Sequence, residues 1–154
     1  MSEGTAVIET ASAADALFVY EEWHRTVTSS DVEALLDLYA DDAVMETFMA
    51  RLLLKQDSGV LPGKSEIRRF LEANFATRET IMKLNEVRFY RTGYQFDGHT
   101  LIWEYKRDTP DGDSYEMVEV VELSGRKISK HRIYFGWYGL SGLTPIKKGL
   151  GEIA

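Results

Sequence analysis

The hydrophobic pattern of this chain changes period once, near Met82, and that change restricts its fold more than any other feature. On the N-terminal side, apolar residues recur at helical spacing. Residues 13–28 place Leu17, Tyr20, His24 and Val27 on one stripe, with Ala16, Val19 and Trp23 beside it, which predicts an amphipathic helix with a broad buried face. Asp31 is suited to N-cap a second helix whose apolar face holds Leu35, Leu36, Leu38 and Tyr39. That helix should stop near Ala40, because Asp41 and Asp42 would meet the negative end of its dipole. Residues 43–48 suit a short strand, and 49–61 fit either a strand or a helical turn. Pro62-Gly63 then breaks the chain before a third amphipathic helix over 64–76, with Ile67, Phe70, Leu71 and Phe75 inward. Beyond Met82 the sequence reads as strands over 86–96, 100–107, 114–123 and 127–137, separated by Asp97-Gly98, by 109–113 and by 124–126. Three helices followed by an antiparallel meander predict one α+β domain over 13–138, with the helices packed on one face of a strongly bent antiparallel sheet. Residues 1–12 are small and polar and read as a disordered N-terminus; the glycine-spaced 139–154 reads as a C-terminal tail.

A chain of 154 residues can bury one core without disulfides or metals. It has no cysteine, which excludes disulfides and thiolate metal sites. No spacing of His, Asp and Glu fits a metal centre either. A formal net charge of −7 disfavours nucleic acid and anionic membranes as partners. No apolar run reaches the roughly 18 residues that a spanning helix needs. Residues 1–14 lack the basic and apolar parts of a signal peptide. The expectation is a cytoplasmic protein that uses no cofactor and no metal. Its 3 Trp, 8 Tyr and 7 Phe either fill a core or line a pocket for an organic ligand.

The run Trp23-His24-Arg25-Thr26-Val27-Thr28-Ser29-Ser30-Asp31, continuing to Tyr39-Ala40-Asp41-Asp42-Ala43-Val44, resembles the start of the nuclear-transport-factor-like superfamily. That superfamily includes ketosteroid isomerases, SnoaL-type polyketide cyclases and limonene epoxide hydrolases. Pro62-Gly63-Lys64-Ser65-Glu66-Ile67 is similar to the element that opens its third helix, and 125–138 to its last hairpin strand. The resemblance covers about residues 13–138 and implies a cone-shaped barrel with an internal pocket. It implies no single activity, because the fold hosts isomerases, cyclases, hydrolases, dehydratases and non-catalytic binders. Laid against a ketosteroid isomerase, the catalytic base falls at Thr47, the tyrosine donor of the first helix at Trp23, and the aspartate donor at Glu119. With these residues, steroid isomerisation by the usual mechanism is not expected.

The hairpins predict which side chains share a face. If the last one folds about Gly125, Glu119 lies opposite His131; if the one before folds about Asp111, Trp103 lies opposite Glu119. The next row would hold Tyr105, Met117 and Ile133. The other face carries Glu104, Lys106, Glu116, Glu122, Lys130 and Arg132, so the face with Glu119 and His131 is the buried one, and a one-residue slip would reverse the assignment. A buried Glu beside a buried His reads in two ways. Glu119 could orient the imidazole of His131, leaving the other ring nitrogen to exchange a proton with a ligand. Equally, the pair could be an internal ion pair that satisfies two core polar groups. His24, by contrast, fits a hydrogen-bonded core histidine on the first helix. The residues at 46 and 47 alternate, and the resemblance turns Thr47 inward and Glu46 outward. Tyr90 and Tyr94 fit either the pocket or a dimer face.

These residues lead to an enzyme reading: cofactor-independent acid/base chemistry on a small apolar organic molecule, as an isomerase, cyclase, dehydratase or hydrolase. His131 would be the general acid/base and Glu119 its partner. Trp23, Thr47, Trp103, Tyr105, Met117, Ile133 and Phe135 would contact the substrate. The alternative is a non-catalytic ligand-binding or scaffold domain of the same fold. A homodimer is expected through the outer sheet face, where Ile102, Val118, Val120 and Tyr134 stand among charges; the alternative is that the C-terminal tail, with Leu140, Leu143, Ile146 and Leu150, folds back over that face within one chain.

Overall fold

The computed structural model describes residues 9–80, 89–108 and 114–136. The predicted tail 139–154, residues 1–8 of the N-terminus and the side chain of Tyr90 lie outside the described residues.

Helix α1 spans Ala13–Ser29. It begins in a capping box, with Ser12 Oγ accepting from the Asp15 amide and the Asp15 carboxylate accepting from the Ser12 amide. Its buried face is Ala16, Val19, Tyr20, Trp23, His24, Thr26 and Val27. Leu17, expected on that face, points to solvent and is 48% exposed. Asp31 caps α2 (Val32–Leu36) as expected, its carboxylate accepting from the Ala34 amide at 3.0 Å. α2 is shorter than its sequence suggests. The Leu38 carbonyl accepts from the Ile128 amide at 2.7 Å, and Tyr39 pairs with Ile128, so pairing with a distant strand ends the helix. Strand β1 (Tyr39–Thr47), a fourth helix in the set, α3 (Phe48–Leu53), and the short strand β2 (Val60–Pro62) follow. α4 covers Lys64–Thr80. Strands β3 (Phe89–Phe96), β4 (Thr100–Asp108), β5 (Ser114–Ser124) and β6 (Lys127–Phe135) form the predicted meander.

Among the described residues these strands make one open sheet in the order β2-β1-β6-β5-β4-β3. All its pairings are antiparallel except β1 with β6, which run parallel. The sequence reading of a purely antiparallel sheet is corrected there. α3, β2, α4 and strands β3 to β5 intervene between β1 and β6, and a connection of that length permits parallel pairing. Helix α1 packs against β3 and α2, and α4 against β1, β2, α2 and α3. The enclosed core holds Leu35, Leu61, Ile67, Leu101, Leu123 and Ile128, each no more than 1% exposed. Each such side chain contributes about 1.5–3 kcal/mol of burial.

The register of β4 on β5 matches the sequence arithmetic, with Trp103 opposite Glu119 and Tyr105 opposite Met117. That of β6 is displaced by two. Val121 faces His131, Glu119 faces Ile133, and Met117 faces Phe135. One residue of displacement comes from a tight turn at Gly125-Arg126, with Ser124 paired to Lys127. The second comes from an irregularity between Glu122 and Leu123, which pair with Lys130 and Ile128 and leave Ser129 extra. Two one-residue shifts restore the parity, so Glu119 and His131 keep the same face.

Candidate functional site

The inner face of β4, β5 and β6 carries Tyr105, Met117, Glu119 and His131, because alternate residues of a strand share a face. The displaced register makes Glu119 and His131 diagonal neighbours rather than directly opposed. Their side chains bridge the diagonal. His131 Nε2 lies 2.5 Å from Glu119 Oε2, and both residues are 1% exposed. The other carboxylate oxygen accepts from the Tyr105 hydroxyl at 2.7 Å, and that hydroxyl also touches Met117 Sδ at 3.3 Å. The other imidazole nitrogen, Nδ1, is 2.7 Å from the hydroxyl of Tyr39. Four side chains from β1, β4, β5 and β6 thus form one chain: Tyr39, His131, Glu119, Tyr105.

The proton order follows from the donors available. With Glu119 as carboxylate, Tyr105 O–H and His131 Nε2–H donate to its two oxygens, and Tyr39 O–H donates to Nδ1. The reverse order places a proton on Glu119 and on Nδ1 and uses the same contacts. Burial pushes the Tyr39 phenol well above its ordinary value, and the nearby Glu119 and Tyr105 push it the same way. Tyr39 therefore stays a neutral hydroxyl.

The chain lines a cavity of about 50 Å³. Its other walls include Trp23, Val27, Phe70 and Leu71 from the helices, Ile133 and Phe135 from β6, and three methionines, Met45, Met49 and Met117. Asn74 of α4 also lines it, and its side-chain amide makes no hydrogen bond to a described residue. The volume suffices for a few waters and is well below the roughly 300–1,000 Å³ of a drug-sized ligand site. Methionine side chains repack readily, so three of them give this wall room to yield.

Of the residues singled out in the sequence, the structure gathers His131, Glu119, Trp23, Tyr105, Met117, Ile133 and Phe135 around this cavity. Thr47 and Trp103 are buried elsewhere. Thr47 caps α3, its hydroxyl 3.3 Å from the Met49 amide. Trp103 packs its ring 5.0 Å from Trp23 and 5.9 Å from Tyr20, and its indole N–H makes no hydrogen bond among the described residues. His24 Nδ1 is 2.7 Å from the Tyr20 carbonyl, a helical core contact. Tyr94 turns inward, its ring 4.9 Å from that of Tyr20, and Glu46 turns outward to Lys130 at 3.3 Å. Among the described residues no three His, Asp or Glu side chains are grouped as metal ligands, and no helix is long and apolar enough to cross a membrane. The sequence reading missed Tyr39, placed on a helix, and Asn74, one polar residue on an amphipathic helix.

No protein-family model and no curated protein matches this chain. Solved structures do. A SnoaL-like protein of unknown function from Burkholderia thailandensis is 21% identical, with a TM-score of 0.63 over 83% of this chain and 99% of its own. An NTF2-like protein of unknown function from Burkholderia pseudomallei is 14% identical, with a TM-score of 0.60 over 79% and 91%. TerC, co-crystallised with polyporic acid, is 13% identical, with a TM-score of 0.62 over 84% and 97%. At these identities the likeness is one of fold.

Proposed function

We propose that this chain, an α+β cone of the NTF2-like fold with an open sheet, binds a small organic molecule in the cavity and catalyses proton transfer on it without a cofactor. The observation that carries this reading is the buried Glu119–His131 pair, joined at 2.5 Å and set in the cavity wall between two tyrosine hydroxyls. A carboxylate and an imidazole in a buried site supply a base and a conjugate acid without a metal. The apolar walls select a largely apolar molecule, and the Asn74 amide, which makes no hydrogen bond to a described residue, offers a donor and an acceptor to one polar group on it. TerC supports the choice of ligand class, since that protein of the same fold was crystallised with an organic acid.

Small ketones test the reading, because they fit a small cavity and carry a removable α-proton. In D2O the protein should accelerate deuterium exchange into acetone and cyclopentanone, followed by proton NMR. Glu119→Gln keeps the side-chain shape and removes the charge, and should lower that rate by about 100-fold or more. A second reading, a non-catalytic binding domain, is favoured by the small volume and by the full pairing of both His131 nitrogens. Its signature is a molecule co-purified with the protein, detected by mass spectrometry, with no exchange of either ketone.

A further inference from the structure

Both ring nitrogens of His131 are engaged by protein groups, Nε2 by Glu119 and Nδ1 by Tyr39. The imidazole therefore has no lone pair or proton left for a ligand. A proton routed through His131 must then reach the ligand by way of Tyr39, the group on its Nδ1 side. We propose that Tyr39 is that group: its hydroxyl contacts the ligand and passes the proton through His131 to Glu119, which is the terminal base. The inference rests on the catalytic reading above and names the residue that touches the substrate.

The geometry separates Tyr39 from the other end of the chain. A tyrosine hydroxyl has one proton to give and two lone pairs to accept with. Tyr39 uses the proton on His131 Nδ1 and lines the cavity, and His131 is its one hydrogen-bond partner among the described residues, so its oxygen can accept. The Tyr105 hydroxyl is held between Glu119 Oε1 and Met117 Sδ. The ring of Tyr39 lies beside that of His131, with centroids 5.9 Å apart and planes 26° from parallel, which fixes the hydroxyl on Nδ1.

The step balances. An acidic C–H or O–H of the ligand gives its proton to the Tyr39 oxygen as the Tyr39 proton moves to Nδ1 and the Nε2 proton moves to Glu119 Oε2. The ligand becomes the anion and Glu119 the neutral acid. His131 remains neutral throughout and changes tautomer. Tyr39, again a hydroxyl, now donates to the anion it has created and accepts from Nδ1–H. Burial disfavours a free tyrosinate, so the three transfers are coupled rather than sequential. The return path protonates the ligand at the same or another atom, as an isomerase or a lyase requires.

Two measurements decide it. In protein labelled with nitrogen-15 at histidine, long-range proton–nitrogen NMR reads the tautomer of His131, assigned by the signal lost in His131→Asn. The ligand-free protein should carry the proton on Nε2. A proton on Nδ1 overturns the relay, because Tyr39 would then be an acceptor with nothing to pass on. In the ketone exchange assay, Tyr39→Phe deletes one oxygen, keeps the ring, and should slow exchange by about 100-fold or more, while Tyr105→Phe should slow it by less than about 10-fold. The opposite ranking overturns the assignment. A wild type that exchanges neither ketone removes the catalytic reading and the relay with it. A wild type that exchanges both ketones but carries Nδ1–H removes the relay alone.

Discussion

His131 is held on both sides, and a buried residue so held is as much a structural part as a chemical one. His131→Ala would leave Glu119 Oε2 and the Tyr39 hydroxyl without their partners in a core position that is 1% exposed. Leaving a buried group without its hydrogen-bond partner costs about 1–3 kcal/mol, and more when that group is charged. We expect His131→Ala to lower the unfolding free energy by at least that amount, read as a lower urea midpoint at an unchanged slope. An unchanged midpoint would mean that the pair carries no structural energy. The size of this loss, against a total stability of about 5–15 kcal/mol, is why the activity tests use Glu119→Gln and Tyr39→Phe instead. At this scale His131 was legible in the sequence from its charged neighbours Lys130 and Arg132, which must face water, and Glu119 only through the hairpin arithmetic that puts it on the same face, since its own neighbours Val118 and Val120 are apolar. Tyr39 was not, because its neighbours Leu35, Leu36 and Leu38 carry a helical pattern that runs straight through it.

Two elements hold the site in place. The N-terminus of α1 is tied to the β5–β6 turn, where Arg126 Nε meets Asp15 Oδ1 at 2.9 Å, the Arg126 guanidinium lies over the Phe18 ring at 4.8 Å, and the Gly125 amide donates to the Glu9 carbonyl. This turn sets the register that brings His131 to Glu119. The Ser12 amide, then the Arg126 guanidinium, holds the Asp15 carboxyl below its ordinary value of 3.8. A depressed carboxyl contributes stability that is present above its unfolded value and is lost as pH falls through the folded one. Asp15→Asn should therefore flatten the acid limb of stability below pH 3.8, measured as the urea midpoint against pH, and a limb identical to wild type would sink the idea. The second element is the corner between β1 and α3. Thr47 N–H donates to the Gly59 carbonyl at 2.9 Å, and a Cβ on Gly59 would stand 2.8 Å from the Thr47 carbonyl oxygen. Gly59→Ala should push these two backbones apart and cost about 1–3 kcal/mol, read as a lower thermal midpoint. A midpoint equal to wild type would show that the corner opens freely.

At the scale of the whole molecule, the outer face of the sheet exposes apolar side chains. Ile102 and Tyr134 are 37% and 54% exposed on β4 and β6, with Val118 and Val120 between them on β5. Around them stand the pairs Lys106–Glu116, Arg132–Glu122 and Lys130–Glu46. We expect a twofold homodimer through this face, with a sedimentation mass near twice the 17.5 kDa of one chain. Ile102→Glu combined with Tyr134→Glu should return it to one chain. A single-chain mass for the wild type across the micromolar range would refute the dimer.

The sequence by itself determined the α+β class, the order of helices before meander, and which side of β4, β5 and β6 faces inward. Those are local properties: the 3.6 and 2.0 periods are written in consecutive residues, and Asp97-Gly98 and Ser124-Gly125-Arg126 mark their own turns. Tertiary structure decided the rest. The register of β6 depended on where the turn closed and on one extra residue at Ser129, neither of which changes the alternation that the sequence displays. The hydroxyl of Tyr39 meets His131 across 92 residues of chain, at the start of a strand where Tyr39 pairs with Ile128 of β6. Which polar groups a cavity collects, and whether each nitrogen in it is already taken, depends on several distant segments at once, and no local pattern encodes that.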